Sequence, residues 1–203
     1  WAQQLLGAIE AESIGKGKLT AFYARQMSNL GDEDITEKLT KIWGKIGETS
    51  AETKAAIENL VATYNQAPLW AFSASAGEAH FKTLCASCHV ESDLSQRIGP
   101  KLEGTGSKGI DYIIENILDP NAVVGKDFQA RQILTIDGLI VTGVIIQETD
   151  SAVTVRTANA TQTIARDDIE KIVISKTSFM PQGLLSTLND QQQIELLKYL
   201  MIK

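Results

Sequence analysis

Cys85-Ala86-Ser87-Cys88-His89 is the stretch on which the reading of this chain turns. The C-x-x-C-H spacing is the attachment signature of a c-type haem. Two thiols add across the porphyrin vinyl groups, and the adjacent imidazole becomes an axial iron ligand. One helical turn carries both cysteines past the haem edge and leaves His89 facing the iron. These are the only two cysteines in 203 residues. Two other chemistries use such residues. A structural zinc site needs four ligands at tetrahedral angles. Cys85, Cys88, His89 and His80 are the whole supply of Cys and His, and the neighbours Cys88 and His89 would strain the backbone to reach one small ion. A thioredoxin-like dithiol belongs to a βαβ context, which the sequence around residue 85 lacks. One covalent haem c is therefore the expected cofactor.

Composition narrows the remaining choices. Hydrophobic residues make up 43% of the chain, enough to bury a core. The net charge of −6 comes with no block of lysine or arginine. Nucleic acid is not an expected partner, because that binding runs on phosphate neutralisation. The longest apolar runs, such as 139–146, are far too short to span a bilayer, so no transmembrane segment is expected. The sequence opens at Trp1 with neither an initiator Met nor a signal peptide. Haem attachment to C-x-x-C-H takes place outside the bacterial cytoplasm. The expectation is a periplasmic or otherwise exported protein, in mature form or as an excised fragment.

Periodicity divides the chain in three. Residues 1–70 read as helices, with apolar faces at Leu5, Leu6 and Ile9; at Phe22, Tyr23, Met27 and Leu30; at Ile35, Leu39, Ile42, Trp43 and Ile46; and at Ala56, Ile57, Leu60, Val61 and Tyr64. Gly15, Gly17, Gly31 and Gly47 punctuate them. Residues 67–75, with Pro68, read as a linker. Ser75, with Glu78 in capping-box spacing, opens a helix that delivers Cys85, Cys88 and His89 at its C-terminal end. A loop follows through Gly99-Pro100, and Ile110, Ile113, Ile114, Ile117 and Leu118 mark a further helix stopped at Asp119-Pro120. Residues 127–176 change character. Ile133–Ile136, Leu139–Ile146, Val153–Thr157, Gln162–Ala165 and Ile169–Ile174 are β-branched runs, and Asp137-Gly138 is a hairpin signal. Residues 158–160 supply a turn. This block holds five Lys or Arg against seven Asp or Glu, with no Cys or His. Asn189 or Asp190 caps a last helix through Ile194, Leu196, Leu197, Leu200 and Met201.

The whole string resembles a known family. Gly77-x-x-x-Phe81, Cys85-Ala-Ser-Cys-His89, Ile98-Gly-Pro100-Lys-Leu102, Ile117-Leu-Asp-Pro120, Asp137-Gly138, Asp168-Ile169 and Ser178-Phe-Met180-Pro181 are similar to the haem-binding domain common in planctomycete and verrucomicrobial proteins. That domain is a class I cytochrome c with a β insert before its distal methionine. The first 70 residues loosely resemble the HEAT-type helical repeats that often precede it. The resemblance implies a mainly α fold with a β insert: a helical segment over 1–70, a cytochrome c domain over 71–126 and 177–203, and a five-stranded antiparallel barrel or rolled sheet over 127–176.

It also implies residue roles. Cys85 and Cys88 would bind the haem covalently, with His89 the proximal ligand and Met180 the distal one. The Pro100 carbonyl would accept the proton on the other imidazole nitrogen and so fix the ligand's tautomer. Leu102 would join the haem-binding set, and Gly77 would let Tyr199 of the last helix approach closely. Met180 has rivals. Met27 and Met201 sit on apolar helical faces that suit a core, whereas Met180 lies in a loop before a proline. His80 shares a helix with the haem cysteines and should not reach the opposite face. The expected function is single-electron transfer rather than enzymatic turnover. A thioether ligand raises the potential, and filling both axial positions leaves no vacancy for oxygen. The donor would be a dehydrogenase module, fused upstream or separate. The alternative is a haem-based sensor in which a small ligand displaces Met180 and the insert carries the movement. The insert itself reads as a docking surface or as a plug over the haem edge.

Overall fold

Apolar side chains gather into three cores, and the elements follow from them. The computed structural model describes residues 1–15, 18–89, 98–157 and 160–203; Gly17, the loop between His89 and Ile98, and most of the 158–160 turn lie outside them. In the first core, Leu6 and Ile9 of α1 (Ala2–Glu10) meet Ala24 and Met27 of α2 (Ala21–Ser28) and Ile35, Leu39 and Ile42 of α3 (Glu33–Ile42). Helix α3 starts where Asp32 accepts the Ile35 N–H at 3.1 Å, with Glu33 and Asp34 in the dipole-favoured first turn. The face expected on α2 is rotated: Tyr23 and Leu30 are exposed, whereas Arg25 is buried. Its guanidinium pairs with Glu115 at 2.6 Å, so a charge takes a place that apolar periodicity would deny it.

The helical reading of residues 1–70 does not hold at Gly44–Ile46, which forms a short strand, β1. It pairs antiparallel with β2 (Val123–Gly125), and Ala122 and Val123 complete the first core. A three-residue strand leaves no alternation to read, and its partner is far off in sequence. Phe22 also meets Tyr112 edge-on, with centroids 5.6 Å apart.

The second core is built by α4 (Ala51–Gln66), α5 (Ala74–Leu84), α6 (Ile110–Leu118) and α7 (Asp190–Ile202). Residues 67–75, expected as a linker, are part of it: Leu69 and Phe72 pack on this core, and Lys198 donates to the Leu69 and Phe72 carbonyls at 2.7 Å each. The packing therefore places α4 with the helices that follow it. Ser73, not Ser75, caps α5 by accepting the Ala76 N–H at 3.1 Å, and Glu78 turns instead to Lys82 at 2.7 Å. Asn189 caps α7 in a full capping box with Gln192.

The third core belongs to the insert. Strands β3 (Gln129–Thr135), β4 (Ile140–Glu148), β5 (Ala152–Arg156), β6 (Thr161–Ala165) and β7 (Ile169–Ser178) form an antiparallel sheet in the order β6-β5-β4-β3-β7. Strand β4 pairs with β3 through residues 140–143 and with β5 through 144–148. The sheet therefore folds over on itself, and Ile133, Val141, Val153 and Val155 meet inside. The β3–β4 hairpin turns at Asp137-Gly138, with Gly138 at φ 83°, as Asp-Gly predicts. Thr135 donates its hydroxyl to the Asp137 carboxylate, which holds that exposed acid below the usual carboxylate range.

The result is a mixed helical and antiparallel-β architecture. Among the described residues, no helix is long and apolar enough to cross a membrane.

Helices α5 and α7 pack through Gly77. A methyl group there would overlap the Glu195 carbonyl and come within 2.9 Å of the Tyr199 Cβ. Backbone cannot yield as a side-chain tip can. Gly77→Ala is expected to destabilise the protein by about 2–3 kcal/mol, read from denaturant unfolding; a change within error would mean the two helices are not held this closely.

Candidate cofactor site

The Cys85–His89 turn grows directly out of α5. Phe81 O accepts the Cys85 N–H at 2.8 Å and the Ala86 N–H at 3.0 Å. Cys85 O then accepts from the amides of Cys88 (3.1 Å) and His89 (2.9 Å). One continued helical turn thus spaces the two thiols and the imidazole. Both cysteines are half-buried free thiols. Burial pushes the Cys85 thiol up to about 11, with Cys88 adding to the shift. A redox-active dithiol needs the opposite displacement, because the thiolate is the nucleophile.

The segment at 98–100 folds back onto this turn. Cys88 O accepts the N–H groups of Ile98 (3.3 Å) and Gly99 (3.0 Å), and Ile98 is buried. His89 Nδ1 lies 2.7 Å from the Pro100 carbonyl oxygen. A carbonyl only accepts, so Nδ1 carries the proton; in the neutral imidazole, Nε2 is then the nitrogen with the lone pair that a metal ligand needs. Gly99 makes room for the ring: a Cβ there would stand 2.7 Å from His89 Cε1 and 2.9 Å from Nδ1.

Leu102 and Met180 lie elsewhere in sequence but pack on the same second core as Cys85 and Ala86. Met180 is half-buried, just beyond β7. Its N–H donates to Ser178 Oγ at 3.1 Å, and Ser178 N–H donates to Asn121 Oδ1 at 2.6 Å.

The rival ligands are placed differently. Met27 is fully buried in the first core, and Met201 is partly buried against the second. His80 Nε2 sits 3.6 Å from Glu195 Oε2, at the α5–α7 crossing. Among the described residues, no group of three or more His, Cys, Asp or Glu is arranged to hold a metal ion by itself.

Three residues escaped the sequence reading. Gly99 lies within Ile98-Gly-Pro100, but its contact with the His89 ring is not visible without the fold. Asn121 follows Asp119-Pro120 directly, and an amide just after a proline turn is the signal that could have drawn notice. Ser178 opened the Met180 motif without an assigned task.

No protein-family model matches this chain, and no curated protein matches it.

Two measurements check this geometry. Gly99→Ala should displace the His89 ring and break its bond to Pro100, at a cost of about 1 kcal/mol, seen as loss of the hydrogen-bonded Nδ1–H proton resonance. Persistence of that resonance would contradict the packing. As a free thiol, Cys85 should alkylate slowly at pH 8, where a thiol near 11 is ionised in roughly one molecule per thousand. Its rate should climb until about pH 11; a plateau by pH 9 would show that burial does not restrain it.

Proposed function

We propose that this chain is a c-type cytochrome module that carries one covalent haem and passes single electrons. Cys85 and Cys88 would attach the haem, and His89 and Met180 would ligate its iron. The observation that carries the reading is the 2.7 Å contact between His89 Nδ1 and the Pro100 carbonyl, in a chain whose only cysteines stand in C-x-x-C-H. That bond fixes the tautomer and orientation an axial imidazole requires.

Other features support it. Cys85, Ala86, Leu102 and Met180 all pack against the second core, apolar surroundings of the kind that would keep water from a porphyrin. Such surroundings disfavour the more highly charged ferric form. The Met180 thioether, a soft donor, acts in the same direction. Bound by these residues, the haem iron would supply reversible ferrous–ferric chemistry. The polypeptide attaches, orients and desolvates it and performs no bond chemistry on a substrate. The family resemblance extends the proposal to a dehydrogenase as electron donor, fused or separate, outside the cytoplasm.

One observation favours a second reading, a haem-based sensor. Strand β7 ends at Ser178, two residues before Met180, so a shift of the insert would pull on the ligand. Carbon monoxide titration of the ferrous protein separates the two. Slow or absent binding fits electron transfer, and rapid binding fits a sensor.

Met180→Ala should lower the midpoint potential, abolish thioether-to-iron absorption and open the iron to carbon monoxide. Met27→Ala should cost about 2–5 kcal/mol of stability and leave that absorption alone. If Met201→Ala rather than Met180→Ala removed the band, the distal assignment would fall.

A further inference from the structure

The segment that bears Met180 is not held by β7 alone. It lies past the last β3–β7 ladder pair, Gln129↔Ser178, and runs into Pro181, which has no N–H to donate. Two hydrogen bonds tie it down instead. Asn121 Oδ1 accepts the Ser178 N–H at 2.6 Å, and Ser178 Oγ accepts the Met180 N–H at 3.1 Å. Asn121, Ser178 and Met180 are all half-buried, so water is a poor substitute for either partner.

Asn121 is itself well anchored. It sits between the end of α6 and β2, in a turn where Ala122 N–H donates to Asp119 O at 3.3 Å. Ala122 O accepts the Gly47 N–H at 2.6 Å, and the next residues pair with β1. The Asn121 amide therefore projects from backbone fixed on one side by α6 and on the other by the N-terminal unit.

We infer that Asn121 is a positioning residue for Met180, acting through Ser178. This rests on the reading of Met180 as axial ligand. The side-chain oxygen sets the height of Ser178, and the Ser178 hydroxyl sets the backbone of Met180. The Asn121–Ser178 bond also links the turn before the insert to its exit, so the two ends of the 50-residue excursion are clasped where the ligand emerges.

The test combines amide hydrogen exchange, which needs no haem spectrum, with thioether-to-iron absorption. Asn121→Ala should speed exchange at Ser178 and Met180 about tenfold, weaken the absorption and accelerate carbon monoxide binding. Asn121→Asp keeps an oxygen acceptor and should restore protection at Ser178. Ser178→Ala should expose the Met180 amide while leaving that of residue 178 protected. A merely structural role would lower global stability and leave the relative protection of these two amides unchanged. The inference is overturned if Asn121→Ala leaves both amides protected and the absorption at wild-type strength. If wild-type protein lacks the absorption, the reading of Met180 fails instead, and the exchange data still decide whether Asn121 holds the segment.

Discussion

The crossing of α5 and α7 at Gly77 is the constraint from which the rest of the candidate site follows. With no side chain at that position, the Glu195 carbonyl and the Tyr199 Cβ come closer to α5 than any other residue would allow. Phe81, one turn further on, then packs with its ring centroid 5.4 Å from that of Tyr199, and Leu196, Leu197 and Leu200 are buried beside it. Each such side chain contributes roughly 1.5–3 kcal/mol when fully buried. Helix α5 can thus end at Leu84 in a fixed place, and the turn bearing Cys85, Cys88 and His89 inherits that placement. Glu195, buried at the crossing, is not left unpartnered: it accepts from the Ser73 amide at 3.4 Å and the Gln191 side chain at 3.2 Å, and it faces His80. The polar groups at this contact match one another, which favours a single register between the helices.

The β insert is carried by this helical frame and contributes to it. Its core of Ile133, Val141, Val153 and Val155 is separate from the other two. Its two ends meet the frame at Asn121 and Ser178. The N-terminal unit is joined at the same place through the β1–β2 ladder and through Arg25 and Glu115. The three bodies converge on the turn after α6, the same turn that holds the backbone ahead of Met180. This gives the electron-transfer and sensor readings a common mechanical element.

Local chemistry was legible in the sequence, and long-range partnership was not. Asp137-Gly138 announced its hairpin because an Asp-Gly turn requires only its own backbone. The β-branched runs gave the five strands in order, since alternation and turn residues are local signals. The start of α7 was readable to within one residue for the same reason, Asn189 or Asp190, and Asn189 is the cap. The 44–46 strand was lost because its ladder depends on 123–125. Tyr23, expected on the apolar face of α2, is exposed, whereas Arg25 is buried and paired with Glu115 of α6, a partner that local periodicity does not announce. The 67–75 stretch looked like a linker by its proline, but Lys198 fastens its carbonyls to α7. At the candidate site, the C-x-x-C-H turn was explicit. The Gly99 contact with His89 and the Asn121–Ser178–Met180 chain join segments whose proximity only the fold creates.

The proposed function requires a haem bound covalently through Cys85 and Cys88 and ligated by His89. Intact mass together with the absorption spectrum of the reduced protein, after expression with haem-attachment machinery, tests it most directly. The expected result is the mass of the chain plus one haem and a sharp low-spin α-band of c type. A colourless protein with the mass of the bare polypeptide would contradict it.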